Sequence, residues 1–135
     1  MKVKKFVVGL LSICLLGATP LVLTSCTGGD NTVQNQVTLS NDENSVYNAI
    51  VGSISSFKDP GSVTLTWVSV KPLLGGRYVK ISAKNSFGGY VTNNFQCSGY
   101  SLRSVDDVVG SSDPSISVSK INQKLNQYKS SMGYN

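Results

Sequence analysis

Few side chains in this sequence could carry out chemistry, because it contains no histidine. Ser-His-Asp and Cys-His nucleophiles and histidine-based zinc sites are therefore excluded. A serine–lysine arrangement is an alternative, but no spacing singles one out. Asp106, Asp107 and Asp113 lie near two serines, as oxygen ligands of a hard cation would, yet they lack the alternating spacing of a calcium loop. We therefore expect a solvated loop there, with no catalytic residue, no metal and no other cofactor.

The most informative cysteine is Cys26, which follows a basic and then an apolar stretch. Three lysines stand in the first five positions, and residues 6–23 are almost wholly apolar. This is the layout of a secretory signal. The stretch ends in Leu23-Thr24-Ser25-Cys26, which resembles the lipobox of bacterial lipoproteins: an aliphatic residue, two small residues and a cysteine. The resemblance implies a thioether-linked diacylglycerol on Cys26 and cleavage between Ser25 and Cys26.

Lipid attachment would place the chain at the cell membrane, on its extracytoplasmic side. The two acyl chains on Cys26 would supply the two hydrophobic signals that stable anchoring requires. One alternative is an uncleaved membrane helix, since roughly 18 apolar residues just span a bilayer. Pro20 and the polar Thr24-Ser25 pair disfavour that helix. The other alternative is an ordinary cleaved signal, but no small-residue cleavage site competes with Cys26.

Removal of residues 1–25 changes both the charge balance and the cysteine count. Three of the twelve basic residues lie in the signal, so nine remain against seven acidic ones, a net charge of +2. A nucleic-acid interface usually needs a clustered basic face, so we expect no nucleic-acid partner. Cys97 is left without an intramolecular partner. We expect a buried thiol on a strand, with a reactive thiol or an intermolecular disulfide as alternatives.

The chain divides into a signal peptide (1–25), a flexible tether (26–39) and a small α+β domain (40–135). The tether is polar and rich in glycine, asparagine and glutamine, which is typical of flexible linkers. Ser40 and Glu43 fit a helix capping box. The helix that they begin should carry its apolar residues on one stripe and end before Pro60. A second helix is predicted over 118–131.

Three strands are predicted between the helices, over 62–70, 78–84 and 90–97. We expect them to form an antiparallel meander with both helices on one face, in the order α-β-β-β-α. A bulge is expected near Trp67, with Trp67 pointing inward. Residues 98–113 should form a loop or a short extra element. The hairpin over 85–89 resembles small uncharacterised exported proteins of Gram-positive bacteria, a resemblance that implies no activity.

The uncovered face of this sheet is the predicted binding surface. Strand alternation places Tyr78, Lys80, Lys84 and Tyr90 on it. Tyrosines among lysines can stack on sugars and bind anionic groups, although an ordinary solvated sheet face also favours these residue types. The sequence thus predicts a non-catalytic binding or structural module whose partner is an envelope polymer or a membrane protein. The alternatives are an envelope-associated hydrolase and an inhibitor or superinfection-exclusion lipoprotein.

Overall fold

A computed structural model describes residues 36–134 of the chain. The predicted signal peptide, with Ser25 and Cys26, and positions 26–35 of the tether lie outside the described residues. The helices and strands, in chain order, are α1 (Asn41–Ser53), β1 (Thr64–Val68), β2 (Tyr78–Lys84), β3 (Tyr90–Ser98), β4 (Ser101–Ser104) and α2 (Val118–Ser131). Short 3-10 turns occupy Ile54–Ser56 and Pro60–Ser62. The predicted α+β class is confirmed.

The sheet is an antiparallel meander with the strand order β1-β2-β3-β4. The prediction of three strands was wrong, because β4 follows β3 through a turn of two residues. Gly99 begins that turn with a φ of +58°, a conformation that glycine adopts without strain. Cys97 of β3 pairs with Leu102 of β4. The sequence of β4, Ser-Leu-Arg-Ser, has a single apolar residue and so gives little strand signal.

The capping box predicted for α1 is confirmed. The Ser40 hydroxyl accepts a hydrogen bond from the Glu43 amide at 3.2 Å, and Glu43 Oε2 accepts one from the Ser40 amide at 2.8 Å. Each bond satisfies a backbone donor that the helix start would leave free. The predicted apolar stripe is also confirmed, since Val46, Ile50 and Ile54 are all buried.

The folded part of the chain begins before Ser40. Leu39, the last residue of the predicted tether, is buried, and Val37 packs against the core. The Asn44 side-chain amide donates a hydrogen bond to the Leu39 carbonyl at 3.1 Å. Residues 37–39 therefore belong to the folded domain, and any flexible tether that follows Cys26 ends before them.

Both helices cover one face of the sheet, here called the inner face. Its central strand contributes Val79, Ile81 and Ala83, all buried, as the alternation of β2 predicted. α2 adds Ile121 and Leu125. At the edge strand β1, the Asn122 side chain accepts from the Leu65 amide at 2.9 Å and donates to the Leu65 carbonyl at 2.8 Å. The Asn122 side chain thus satisfies the amide and the carbonyl of Leu65, which an edge strand would otherwise leave unpaired.

The bulge predicted in β1 is confirmed, but Trp67 points the other way. The register shifts between Leu65, opposite Ile81, and Trp67, opposite Lys80. The extra residue, Thr66, reverses the alternation before Trp67 rather than after it. Trp67 therefore lies on the outer face of the sheet, with Lys80, and Val68 returns to the buried inner face.

The outer face is partly covered, contrary to the expectation of an open face. Residues 105–112 connect β4 to the opposite edge of the sheet, where the Val70 amide donates to the Ser111 carbonyl at 2.9 Å. Because the helices occupy the inner face, this connection crosses the outer face. The Asn94 side chain, on the outer face of β3, donates to the Asp106 carbonyl at 2.9 Å. The connection shields the outer face beside Asn94.

Glu43 joins the starts of the two helices. Besides the capping box, its Oε1 accepts a hydrogen bond from the Ser117 amide, at 2.8 Å, just before α2. Burial acts to raise the pKa of Glu43, but the bonds from Ser40 and Ser117 and the charge of Lys120 outweigh it. The pKa of Glu43 therefore lies below its ordinary value.

We expect Glu43 to make the stability of the domain depend on acid pH. A carboxyl group with a lowered folded-state pKa stabilises the fold fully above its unfolded pKa, near 4.5, and this contribution is lost as the pH falls through the folded-state value. Glu43→Gln should lower the free energy of unfolding by about 1–3 kcal/mol at pH 7 and by less at pH 3. Urea denaturation at both pH values measures this difference.

Asp107→Asn, at an exposed carboxylate, is the matched control and should leave the stability at pH 7 almost unchanged. If Glu43→Gln and the native chain lose equal stability between pH 7 and pH 3, Glu43 is not the source of the acid sensitivity.

Candidate binding face

Five outer-face side chains form the aromatic–lysine face: Trp67, Tyr78, Lys80, Lys84 and Tyr90. Alternate residues of β2 project from the same side, about 7 Å apart, which places Tyr78, Lys80 and Lys84 in one row. Tyr90 begins β3 directly opposite Lys84. The structure thus puts all four predicted residues on one face. It adds Trp67, which sequence reasoning had placed in the core.

Each lysine of this face lies over an aromatic ring. Lys80 Nζ is 5.3 Å from the centroid of the Trp67 ring, and Lys84 Nζ is 5.6 Å from that of Tyr90. Such distances permit cation–π attraction, which restrains the ammonium groups without neutralising them. Within residues 36–134, both salt bridges involve Arg77, so neither lysine is paired with a carboxylate there. The face presents two positive charges beside aromatic rings.

The five residues are not equally accessible. Tyr90 is the most exposed, at 64%, whereas Tyr78 is half-buried. Tyr78 lies opposite Gln96, in the half of the sheet where residues 105–112 cross. Arg103 is exposed on the same face beside Gln96. Sequence reasoning missed Arg103 because β4 was not predicted. The most accessible side chain of the face is Tyr90, which lies opposite Lys84 at the hairpin end of β2 and β3.

A groove of about 280 Å³ begins beside Lys84, where α1 has ended and no helix covers the inner face. Phe57 and Phe95 line it with their rings in edge-to-face contact, the centroids being 5.7 Å apart. Val91 pairs with Ala83 on the inner face, but it stays 41% exposed because it lines this groove. Lys58 adds a second ammonium group. Lys84 therefore lies between a flat aromatic surface and a partly apolar groove.

The chain matches no protein-family model, no curated protein and no solved structure. Within residues 36–134, neither helix has the length and apolar character needed to cross a membrane.

Arg77 forms a buried ionic cluster that the sequence did not predict. Its side chain is 8% exposed, and its guanidinium contacts Asp113, Asp42 at 2.8 Å and the Ser69 carbonyl at 2.9 Å. The cluster ties the β1–β2 loop to the first turn of α1 and to the segment before α2. Hydrogen bonds from Ser115, together with Arg77, hold the pKa of Asp113 below its usual value.

The three aspartates considered as ligands of a cation, Asp106, Asp107 and Asp113, have different environments in the structure. Asp113 is bound to Arg77, while Asp106 and Asp107 are exposed in the crossing segment. Within residues 36–134, no three potential metal ligands come together. Asp113 has a structural contact that accounts for its position.

Cys97 is a buried, free thiol on β3. Burial raises its pKa to about 12, although the charge of Arg77 acts in the opposite direction. The thiol is therefore protonated, and a poor nucleophile, at neutral pH. The backbone of Gly76 packs directly against the Cys97 carbonyl group, because a Cβ at Gly76 would lie 1.5 Å from the carbonyl oxygen. These contacts agree with the expected buried cysteine and with a structural role.

Proposed function

We propose that this chain is a bacterial surface lipoprotein that acts as a non-catalytic binding module in the cell envelope. The lipobox-like sequence over 23–26 supports cleavage between Ser25 and Cys26 and a diacylglycerol on Cys26. This lipid would hold the domain on the extracytoplasmic side of the cell membrane. The single observation that carries the binding role is the aromatic–lysine face, where two unneutralised lysines lie over aromatic rings.

The ligand that best fits this face is an anionic polymer of sugars. Aromatic rings such as Tyr90 and Trp67 can stack on the apolar faces of sugar rings, while ammonium groups form charge-assisted hydrogen bonds with phosphate or carboxylate. Lys80 and Lys84 lie four residues apart on one strand, about 13 Å along it. A repeating polymer can contact both at once, which a small anion cannot.

The non-catalytic assignment is supported by the contacts of the side chains that could do chemistry. The Cys97 thiol is buried and protonated, and Asp113 is bound to Arg77. An envelope-associated hydrolase would need a cleft with polarised carboxylates or a serine–lysine pair. The exposed positions of Asp106 and Asp107 do not favour such a cleft.

The groove beside Lys84 favours a second candidate, binding to another envelope protein. Its rings, Phe57 and Phe95, lie in one groove with the exposed Val91. Asn85, which also lines the groove, begins the β2–β3 hairpin loop that exposes Phe87. Exposed apolar residues of this kind are typical of protein contacts. An inhibitor or a superinfection-exclusion lipoprotein would use such a surface.

Reversing both charges of the aromatic–lysine face tests the proposed ligand. Lys80→Glu combined with Lys84→Glu should weaken binding to an isolated anionic envelope polysaccharide by about tenfold or more, because two charge-assisted contacts become repulsive. Co-sedimentation of the full chain with the polymer at low and high salt measures the affinity. Higher salt should weaken the native chain's binding and matter less for the variant.

Lys124→Glu is the matched control. Lys124 Nζ lies 5.1 Å from the Tyr47 ring, the same kind of contact, but in the helical layer on the other side of the sheet. This variant should bind the polymer almost as the native chain does. Because the double variant reverses two charges and Lys124→Glu reverses one, a loss of binding free energy in Lys124→Glu about half that of the double variant would mean that only net charge matters. That result would contradict a specific role for the aromatic–lysine face.

A further inference from the structure

The loop between β1 and β2 exposes two adjacent leucines. Leu73 and Leu74 are 104% and 89% exposed, and Val70 at the start of the loop is 45% exposed. We call residues 70–76 the leucine loop. Exposed leucines raise the free energy of a chain surrounded by water, and a contiguous exposed pair at a loop tip is typical of an interaction site. Pro72 restricts the backbone at the tip, and Lys71 adds a positive charge.

The leucine loop lies at the end of the domain where the described chain begins. Arg77, directly after the loop, binds Asp42 in the first turn of α1 at 2.8 Å. We call this end of the domain, where the described chain begins, the proximal end. Two further exposed apolar side chains lie near it. Tyr100 is in the β3–β4 turn, and Val109 lies two residues before Ser111, which binds Val70. Phe87 lies at the opposite end of the sheet.

We infer that the leucine loop docks into the phospholipid surface to which the chain is anchored. The inference rests on the proposed lipid anchor at Cys26. Val37 lies eleven positions after Cys26, a length of chain that could span about 40 Å at most, so the proximal end can reach the membrane. Leu73 and Leu74 would enter the interface as apolar anchors, and Lys71 would lie among anionic headgroups.

Docking at this end would give the domain a fixed orientation. The lipid and the leucine loop together make two separate attachments, so the sheet would stand with its Phe87 end away from the membrane. Lys84 and Tyr90, which adjoin that end, would then face the envelope rather than the lipid. The membrane contact would thereby present the aromatic–lysine face to its polymer.

Environment-sensitive fluorescent probes on introduced cysteines test the docking. The full chain carries the probe through Leu74→Cys or, as the matched control, through Phe87→Cys, a residue 96% exposed at the opposite end. Cys97 does not compete for the label, because its thiol is buried. The lipidated protein is placed in phosphatidylcholine–phosphatidylglycerol vesicles that contain nitroxide lipids. Flotation reports anchoring, and quenching reports depth.

We expect the probe at position 74 to be quenched at least about threefold more than that at position 87, because an interfacial segment lies about 5–10 Å deep. Flotation with equal, weak quenching at both positions would overturn the docking and leave the anchor intact. Failure to float would overturn both proposals. Quenching at position 74 in native membranes, but not in protein-free vesicles, would show a protein partner and overturn docking to lipid.

Discussion

Arg77→Met is expected to lower the free energy of unfolding by about 3–5 kcal/mol, the cost of breaking a buried ion pair on one side. Methionine fills much of the space but donates no hydrogen bond to Asp113 or to the Ser69 carbonyl. Asp113 would then hold a shielded charge without its partner, whereas Asp42 is half-exposed and can be hydrated. Urea denaturation of the full chain measures the loss.

Arg103→Met is the matched control, because it makes the same change at an exposed arginine. It should alter the stability by less than about 0.5 kcal/mol. Arg77→Met combined with Asp113→Asn should recover part of the loss, since the unpaired charge is removed as well. If Arg77→Met and Arg103→Met have equal stability, the buried cluster contributes nothing and its structural role is contradicted.

Cys26→Ala is expected to abolish lipid attachment completely. Alanine has no thiol to form the thioether, and the cleavage between Ser25 and Cys26 that the lipobox resemblance implies should fail with it. The variant should incorporate no labelled fatty acid and should retain residues 1–25. Labelled fatty acid in growing cells and the intact mass of the purified chain measure the two effects.

The other cysteines provide the controls for this experiment. Cys14→Ala and Cys97→Ala should both keep the fatty acid, because the first residue lies in the predicted signal and the second is a buried thiol of the domain. Fatty acid that persists in Cys26→Ala, or a native N-terminus at a residue other than Cys26, would contradict the lipid anchor.

The features of the fold that sequence reasoning predicted correctly arise from local patterns. The capping box of Ser40 and Glu43 is a local contact, and the alternation of β2 is visible in seven consecutive residues. The features that it missed depend on distant parts of the chain. β4 is a strand because its backbone pairs with β3, although its own sequence has one apolar residue. Arg77 is paired with two carboxylates that lie 35 and 36 positions away in the chain.

The same distinction applies to the candidate site. Alternation along β2 and β3 was enough to place Lys80, Lys84 and Tyr90 on one face. It could not place Trp67, because moving the bulge by one residue sends that side chain to the other side of the sheet. The shielding of the outer face beside Asn94 and the groove beside Lys84 depend on where the connection over 105–112 crosses and where α1 ends.

The measurement that most directly tests the binding role is crosslinking in intact cells, with a photoreactive amino acid at position 90 of the full chain. A control places it at position 124, in the helical layer. We expect an adduct with an anionic envelope polymer at position 90 and none at position 124. The adduct at position 90 should be lost when Lys80 and Lys84 are both changed to glutamate. Equal labelling at both positions, or an adduct that survives the charge reversal, would contradict the proposed function.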